Sequence, residues 1–484
     1  MDLSAYREEA EAFVSALDRE YYLHFSGQKD ELEIEPIYER HAGLVTREAV
    51  ERLRESGNRE LLDFAAKGLI GQETKHLDAE LARREAALEI EVDGERMPVR
   101  QAPVVQANEP DRERRARIDA AQRELLEREL QQLHRESFER TSELVRELGW
   151  RSVRAMTEAL SGIDLAALAD QTEAFLRDTE PSYEPLVEPR LREELGYGFD
   201  RFQRADIGAF FRAPALDGAF PAERLLERYR HTMSTMSVDG RGVLLDVDER
   251  PKKAPRAFCS PARVPDEVYL VIAPHGGRED YETLFHEAGH AQHYSHVDAA
   301  LPFEDRYLGD NSVTESFAFL FQSLSADPSW LRDALGVASP DEVVEQARAA
   351  KLVLVRRYCA KLSYELELQD APADLDALPD VYRRRLSDAV HVDWPRETWL
   401  SDVDPFFYSA RYLRAWALET HLRRHFRERF GEAWWSSPEA GEQLRSLWRY
   451  GQRLNGDELL AELTGGDAQL DFSAMLAEFA EQQQ

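Results

Sequence analysis

From residue 2 to about residue 71, apolar residues recur at intervals of three and four between charged ones, a period that predicts a succession of amphipathic helices. The period changes at "LEIEVDGERMPV", where apolar positions alternate around Asp93-Gly94, a dipeptide suited to the two-residue turn of a hairpin. After "ANEPD", with Pro110 expected in a first helical turn, residues 111–147 predict one long charged helix that ends at Gly149. The proline-rich "EPSYEPLVEPR" predicts a hinge between an N-terminal helical lobe, residues 1–200, and a second lobe, residues 201–484, both parts of one interdependent fold. Between 242 and 273, "GVLLDV" and "EVYLVIA" read as strands joined by the irregular "DERPKKAPRAFCSPARVPD". Helical spacing returns at 312–324, 341–368 and 408–430. The pattern predicts a mainly α fold with a small β-sheet just ahead of a histidine-rich segment.

At 484 residues the chain is long enough for a large core, so size limits nothing. Charge narrows the choice of partner. With 61 Lys and Arg against 93 Asp and Glu the net charge is −32, and no basic patch offsets it, so no nucleic-acid backbone and no anionic membrane is expected as a partner. Cys259 and Cys359 are the only cysteines, too few for a disulfide framework, which points to a reducing compartment. The start "MDLSAYREEAEAF" is acidic and amphipathic, unlike a secretory leader, and no apolar run reaches the length of a membrane span. A cytoplasmic location is expected. Composition leaves the oligomeric state open.

"TLFHEAGHAQHYSH" places His286, His290, His293 and His296 in one segment of a chain with 13 histidines. Four residues of α-helix turn through about 400°, so His286 and His290 project the same way from successive turns and can share one ion. The pattern is H-E-x-x-H, in which the two histidines bind zinc and the glutamate, here Glu287, takes a proton from the attacking water. A catalytic zinc needs a third protein ligand. His296 stands where a longer zinc motif puts its last histidine, but His293 occupies the position of the glycine that would break the helix there. An unbroken helix carries His296 about 9 Å beyond His290. His293 and His296 are therefore expected at the helix end or lining a cleft. Glu315 is the stronger candidate because it interrupts "NSVTESFAFLFQSL", a helix otherwise apolar enough to be buried, where a carboxylate needs a partner. Glu304, Asp305 and Asp310, in the intervening loop, are weaker alternatives.

In these residues the chain resembles the thimet oligopeptidase and oligoendopeptidase F family of zinc peptidases. The likeness runs through "LLDVDERPKKAPRAFCSPARVPDEVYLVIAPHGGREDYETLFHEAGHAQHYSH" and covers roughly residues 200–430. It implies one Zn2+ ion on His286, His290 and Glu315, Glu287 as general base, and short peptides as substrates. It also implies a two-lobed helical ellipsoid with a deep channel and a short sheet edge along which a peptide backbone can lie. The family uses tyrosines from a C-terminal segment, usually with a histidine, to stabilise the oxyanion; "DPFFYSARYLRAW" stands there, with Tyr408 and Tyr412 on one predicted helix face. Ala410 replaces the middle tyrosine of the oligoendopeptidase motif, and the nearest upstream histidine is His391. Gln322 stands where the family commonly has a second glutamate, and its amide is expected to orient a ligand.

The expected activity is a zinc metallopeptidase of the endopeptidase or oligopeptidase type. A helical metallocarboxypeptidase also carries H-E-x-x-H, but places a His-Glu-Ser-x-Ser run where this chain has "VTESF". A peptide-binding scaffold of the same fold without turnover is the alternative from outside enzymology.

Overall fold

Asp93 and Gly94 take φ of 56° and 81°, the left-handed pair that a tight hairpin turn requires and that glycine adopts without strain. They join β1 (Glu89–Val92) to β2 (Glu95–Pro98) in an antiparallel ladder, with Ile90 opposite Met97 on the buried side. The computed structural model describes residues 2–238, 241–370, 375–466 and 468–480. It is 71% helix and 5% strand, a mainly α fold with small sheets. Among the described residues no helix is long and apolar enough to cross a membrane.

The chain divides into two compact units, each built from three segments. The first comprises Met1–Ala65, Leu216–Val344 and Arg414–Met475; the second comprises Ala66–Ala215, Glu345–Leu413 and Leu476–Gln484. A single boundary near residue 200 does not describe this division, because successive segments of the chain alternate between the units.

The second unit corrects two expectations. Asp111, not Pro110, opens the long charged helix: its carboxylate accepts the Glu113 N–H at 3.0 Å, so Pro110 lies just outside. That helix continues through a π-turn at Leu126–Leu130 to Glu147. The predicted proline hinge is absent as well, because Pro181, Pro185 and Pro189 all lie inside one helix, Leu165–Leu195. Their spacing of four puts them on a single exposed stripe, where water can solvate the carbonyls they strand, while Thr179, Tyr183 and Val187 bury the opposite face.

The first unit contains the larger sheet, β3 (Val243–Asp246), β4 (Phe258–Arg263) and β5 (Glu267–Val271), in spatial order β3-β5-β4. β3 runs parallel to β5 and β4 antiparallel to it. β4 lies within the stretch expected to be irregular. Pro261 disguises it, and the strand tolerates proline because it is at the sheet edge with a register shift between Ser260 and Arg263. The N-terminal helix, Leu3–Phe25, packs on this sheet: the Ser260 hydroxyl donates to the Asp18 carbonyl at 2.8 Å, and Tyr22 stacks on Tyr269 with ring centroids 3.6 Å apart.

Candidate metal centre

β5 leads through Gly276 and Gly277 into the histidine helix, Arg278–Ser295. Asp280 sits in the first turn and reaches back to accept the backbone N–H groups of His275 and Gly276 at 2.5 and 2.6 Å. Tyr281, Leu284, Phe285, Ala288 and Ala291 are buried, with the Phe285 ring edge-on to Trp330 at 5.2 Å. Burying one such phenylalanine contributes about 1.5–3 kcal/mol. His286, Glu287, His290 and Tyr294 form the partly exposed stripe of the helix.

A second helix, Asn311–Gln322, is capped by Asp310, which accepts the Ser312 N–H at 3.0 Å, and it crosses the first at Gly289. A Cβ at Gly289 would stand 2.5 Å from the Ala318 Cα and the Phe317 carbonyl oxygen, so the glycine lets the two backbones meet. This close approach delivers Glu315, 6% exposed, to the histidines.

Glu315 Oε2 lies 3.5 Å from His286 Nε2 and 3.6 Å from His290 Nε2. One ligand atom from each of the three residues falls within 4.8 Å of the others. Ligands about 2.0–2.2 Å from a tetrahedral zinc are about 3.3–3.6 Å from one another, so the two measured separations suit a shared ion. Two imidazoles and a carboxylate are also a donor set that zinc accepts. With Nδ1 protonated, the His286 ring donates to Gln322 Oε1 and the His290 ring to Thr314 Oγ1, each at 2.9 Å. Those bonds leave both Nε2 lone pairs for a metal and fix the ring planes. Burial, reinforced by His290, pulls the His286 pKa down to about 4. Burial also pulls on His290, but the Glu315 carboxylate outweighs it and the net shift is upward.

Glu287 Oε2 accepts the backbone N–H of Cys259 on β4 at 2.9 Å. Burial raises its carboxyl pKa, against the opposing pull of His290 and that hydrogen bond. The edge strand hidden by Pro261 therefore orients the glutamate of the motif, a contact across 28 residues that no local pattern discloses. Thr314 was equally invisible as a partner, although a hydroxyl beside Glu315 in an apolar helix is a signal in retrospect.

His293 is fully buried, its Nε2 paired with the Gly451 carbonyl at 3.1 Å, its ring 5.1 Å from that of Phe317. Burial takes its pKa down to about 3, so it is a neutral core residue and lines no cleft. His296 ends the helix, bonds through Nδ1 to the Gln292 carbonyl at 2.8 Å and packs on Trp448. Of the loop acids, Glu304 pairs with Arg7 and Asn58, and Asp310 serves as the cap.

Tyr408 and Tyr412 belong to the second unit, on the first turns of helix Tyr408–Phe430. Their rings meet edge to face at 4.9 Å, and Tyr412 also meets Tyr358 at 5.8 Å. Phe406 and Phe407, just before them, both adopt left-handed φ, of 51° and 56°. His391, also in this unit, pairs with Glu184 at 2.9 Å and Glu180 at 3.0 Å.

On the reading that this cluster holds zinc, Gln322→Ala is expected to weaken metal binding by about 10–100-fold, because the His286 ring loses its orienting acceptor. Competition titration against a chromogenic chelator measures this, and unchanged affinity would mean that Gln322 holds nothing in place. Neither a protein-family model nor a curated protein sequence matches the chain, so the functional reading rests on the residues of the site.

Proposed function

We propose that the protein is a metallopeptidase that hydrolyses short peptides, with one zinc ion held by His286, His290 and Glu315. The observation that carries this reading is the convergence of those three side chains, with separations of 3.5 and 3.6 Å, beside a glutamate at the general-base position of H-E-x-x-H. A zinc ion bound there would polarise the scissile carbonyl and acidify water. Glu287 accepts the proton of the attacking water and returns it to the leaving amine, a task suited to a carboxyl whose pKa burial has raised toward the working range. The Cys259 N–H holds that carboxylate in one orientation throughout.

Two features favour a peptide substrate. β4 is an edge strand directly beside Glu287, and exposed strand edges recognise extended peptide backbones. The resemblance to the thimet oligopeptidase and oligoendopeptidase F family points the same way.

The test combines metal analysis with a quenched-fluorescent peptide whose C-terminus is either free or amidated. The expected result is about one zinc per chain, cleavage of both peptides, and loss of cleavage on chelation that zinc restores. Blockage by amidation would make the protein a carboxypeptidase. A zinc-loaded protein that cleaves neither peptide would overturn the hydrolytic reading.

A further inference from the structure

The N-terminal helix carries a carboxylate that the proposed chemistry does not use. Asp18 is half-buried, and among the described residues its carboxylate has no hydrogen-bond or ion-pair partner. Several other buried acids of the same unit are matched by cations: Glu20 by Lys29 at 2.7 Å, Glu304 by Arg7 at 2.5 Å, and Asp246 by Lys253 at 3.1 Å. Their pKa values lie below the ordinary ones despite burial, whereas burial alone pushes Asp18 up to about 7. Burying an acid without a partner costs stability, and such acids concentrate at functional sites.

Its surroundings point to the metal centre. The Ser260 hydroxyl bonds to the Asp18 carbonyl, so this turn of the helix lies on β4. One residue earlier on that strand, Cys259 donates its N–H to Glu287, and its thiol feels the charges of both Glu287 and Asp18. Tyr294, one turn beyond His290 on the same helix face, also feels Asp18. One helical turn is about 5.4 Å, the span of one to two residues of extended peptide.

The same face of the N-terminal helix is aromatic. Tyr21 and Phe25 follow Asp18 at the spacing of helix neighbours, their rings stacked at 6.1 Å, and Phe25 meets Phe258 of β4 edge-on at 6.3 Å. Phe25 is 43% exposed, one of few large apolar side chains left open among the described residues. A carboxylate that shares a helix face with aromatic rings suits a long aliphatic stem that ends in a cation.

Resting on the peptidase reading, we propose that Asp18, Tyr21, Phe25 and Phe258 form a specificity subsite for an arginine or lysine side chain of the peptide substrate, close to the scissile bond. The charged end pairs with Asp18 and the stem covers the rings. A free amino terminus would use the carboxylate but leave the rings uncovered.

The test uses quenched-fluorescent peptides with one lysine, scanned along the sequence, against copies with norleucine in its place, each with free and acetylated amino termini. The lysine peptide is expected to be favoured by about tenfold in kcat/KM at one position, the scale of a partly desolvated ion pair with a cation–π contact. Asp18→Asn should bring that ratio close to one, and Phe25→Ala, at an exposed position, should lower it less. The ratio should grow from pH 6 to pH 8 as Asp18 ionises. Burial pushes Tyr21, Cys259, Tyr294 and Tyr307 upward, so none of these neighbours gains charge in that window, and the titration of Glu287 cancels in the ratio. Fluorescence anisotropy with the same peptides reads the subsite without turnover. Charge-selective binding without cleavage would sink the peptidase reading and keep the subsite. Cleavage with no lysine preference, a preference unchanged in both variants, or one that follows amino-terminal acetylation alone would overturn the subsite.

Discussion

Glu287→Gln is expected to slow peptide hydrolysis by about 10²–10⁴-fold while the protein keeps its zinc. The amide has nearly the shape of the carboxylate, and its oxygen can still accept the Cys259 N–H, so the link between the histidine helix and the edge strand survives. What it lacks is basicity: a neutral amide does not take a proton from water at neutral pH. His286, His290 and Glu315 are untouched, so metal content should match the parent. Steady-state kinetics on the amidated peptide, with metal analysis of the same sample, checks both halves. Hydrolysis at the parent rate would remove the general-base assignment even if zinc remained essential.

Gly289→Ala is expected to lower stability by about 1–3 kcal/mol and to cost most of the zinc affinity. Helix propensity alone argues the other way, since alanine in place of a helical glycine contributes about 1 kcal/mol. The overlap wins because the new methyl would meet backbone: Ala318 Cα and Phe317 O at 2.5 Å and Ala318 N at 2.8 Å. No side chain can swing away to make room, so the helices must separate, and Glu315 lies less than one turn from Ala318. Thermal unfolding in chelator reads the packing cost, and zinc titration reads the displaced ligand. A variant as stable as the parent with full zinc affinity would show that the crossing can widen at no cost to the site.

The clustering of the candidate metal ligands was legible because its determinants are either local or chemically conspicuous. His286 and His290 share a helix face by spacing alone, and Glu315 stands out as an acid in an apolar helix. Gln322 was legible for a similar reason, seven residues after Glu315 on the same face, and it bonds to His286. The setting of Glu287 was not, because its partner strand carries Pro261, and proline argues against a strand until the strand is known to lie at an edge. The prolines of Leu165–Leu195 misled in the opposite direction: they punctuate the sequence, yet their stripe faces water and the helix runs on. His293 was expected at the helix end or lining a cleft but faces Phe317 and the Gly451 carbonyl, a burial decided by residues distant in the chain. The division into units escaped for the same reason, since no local composition marks a boundary that each unit crosses more than once.

That interleaving sets an order of events on the ribosome. The helix Leu3–Phe25 is synthesised well before its partners: Ser260 lies 242 residues beyond Asp18, Glu267 248 beyond Arg19, and Glu304 297 beyond Arg7. At about 5–20 residues per second the helix waits roughly ten to fifty seconds for the strand it docks on, with its aromatic face open to chaperones. Emergence of the histidine helix and the strand before it, rather than of the first 200 residues, lets this unit begin to close.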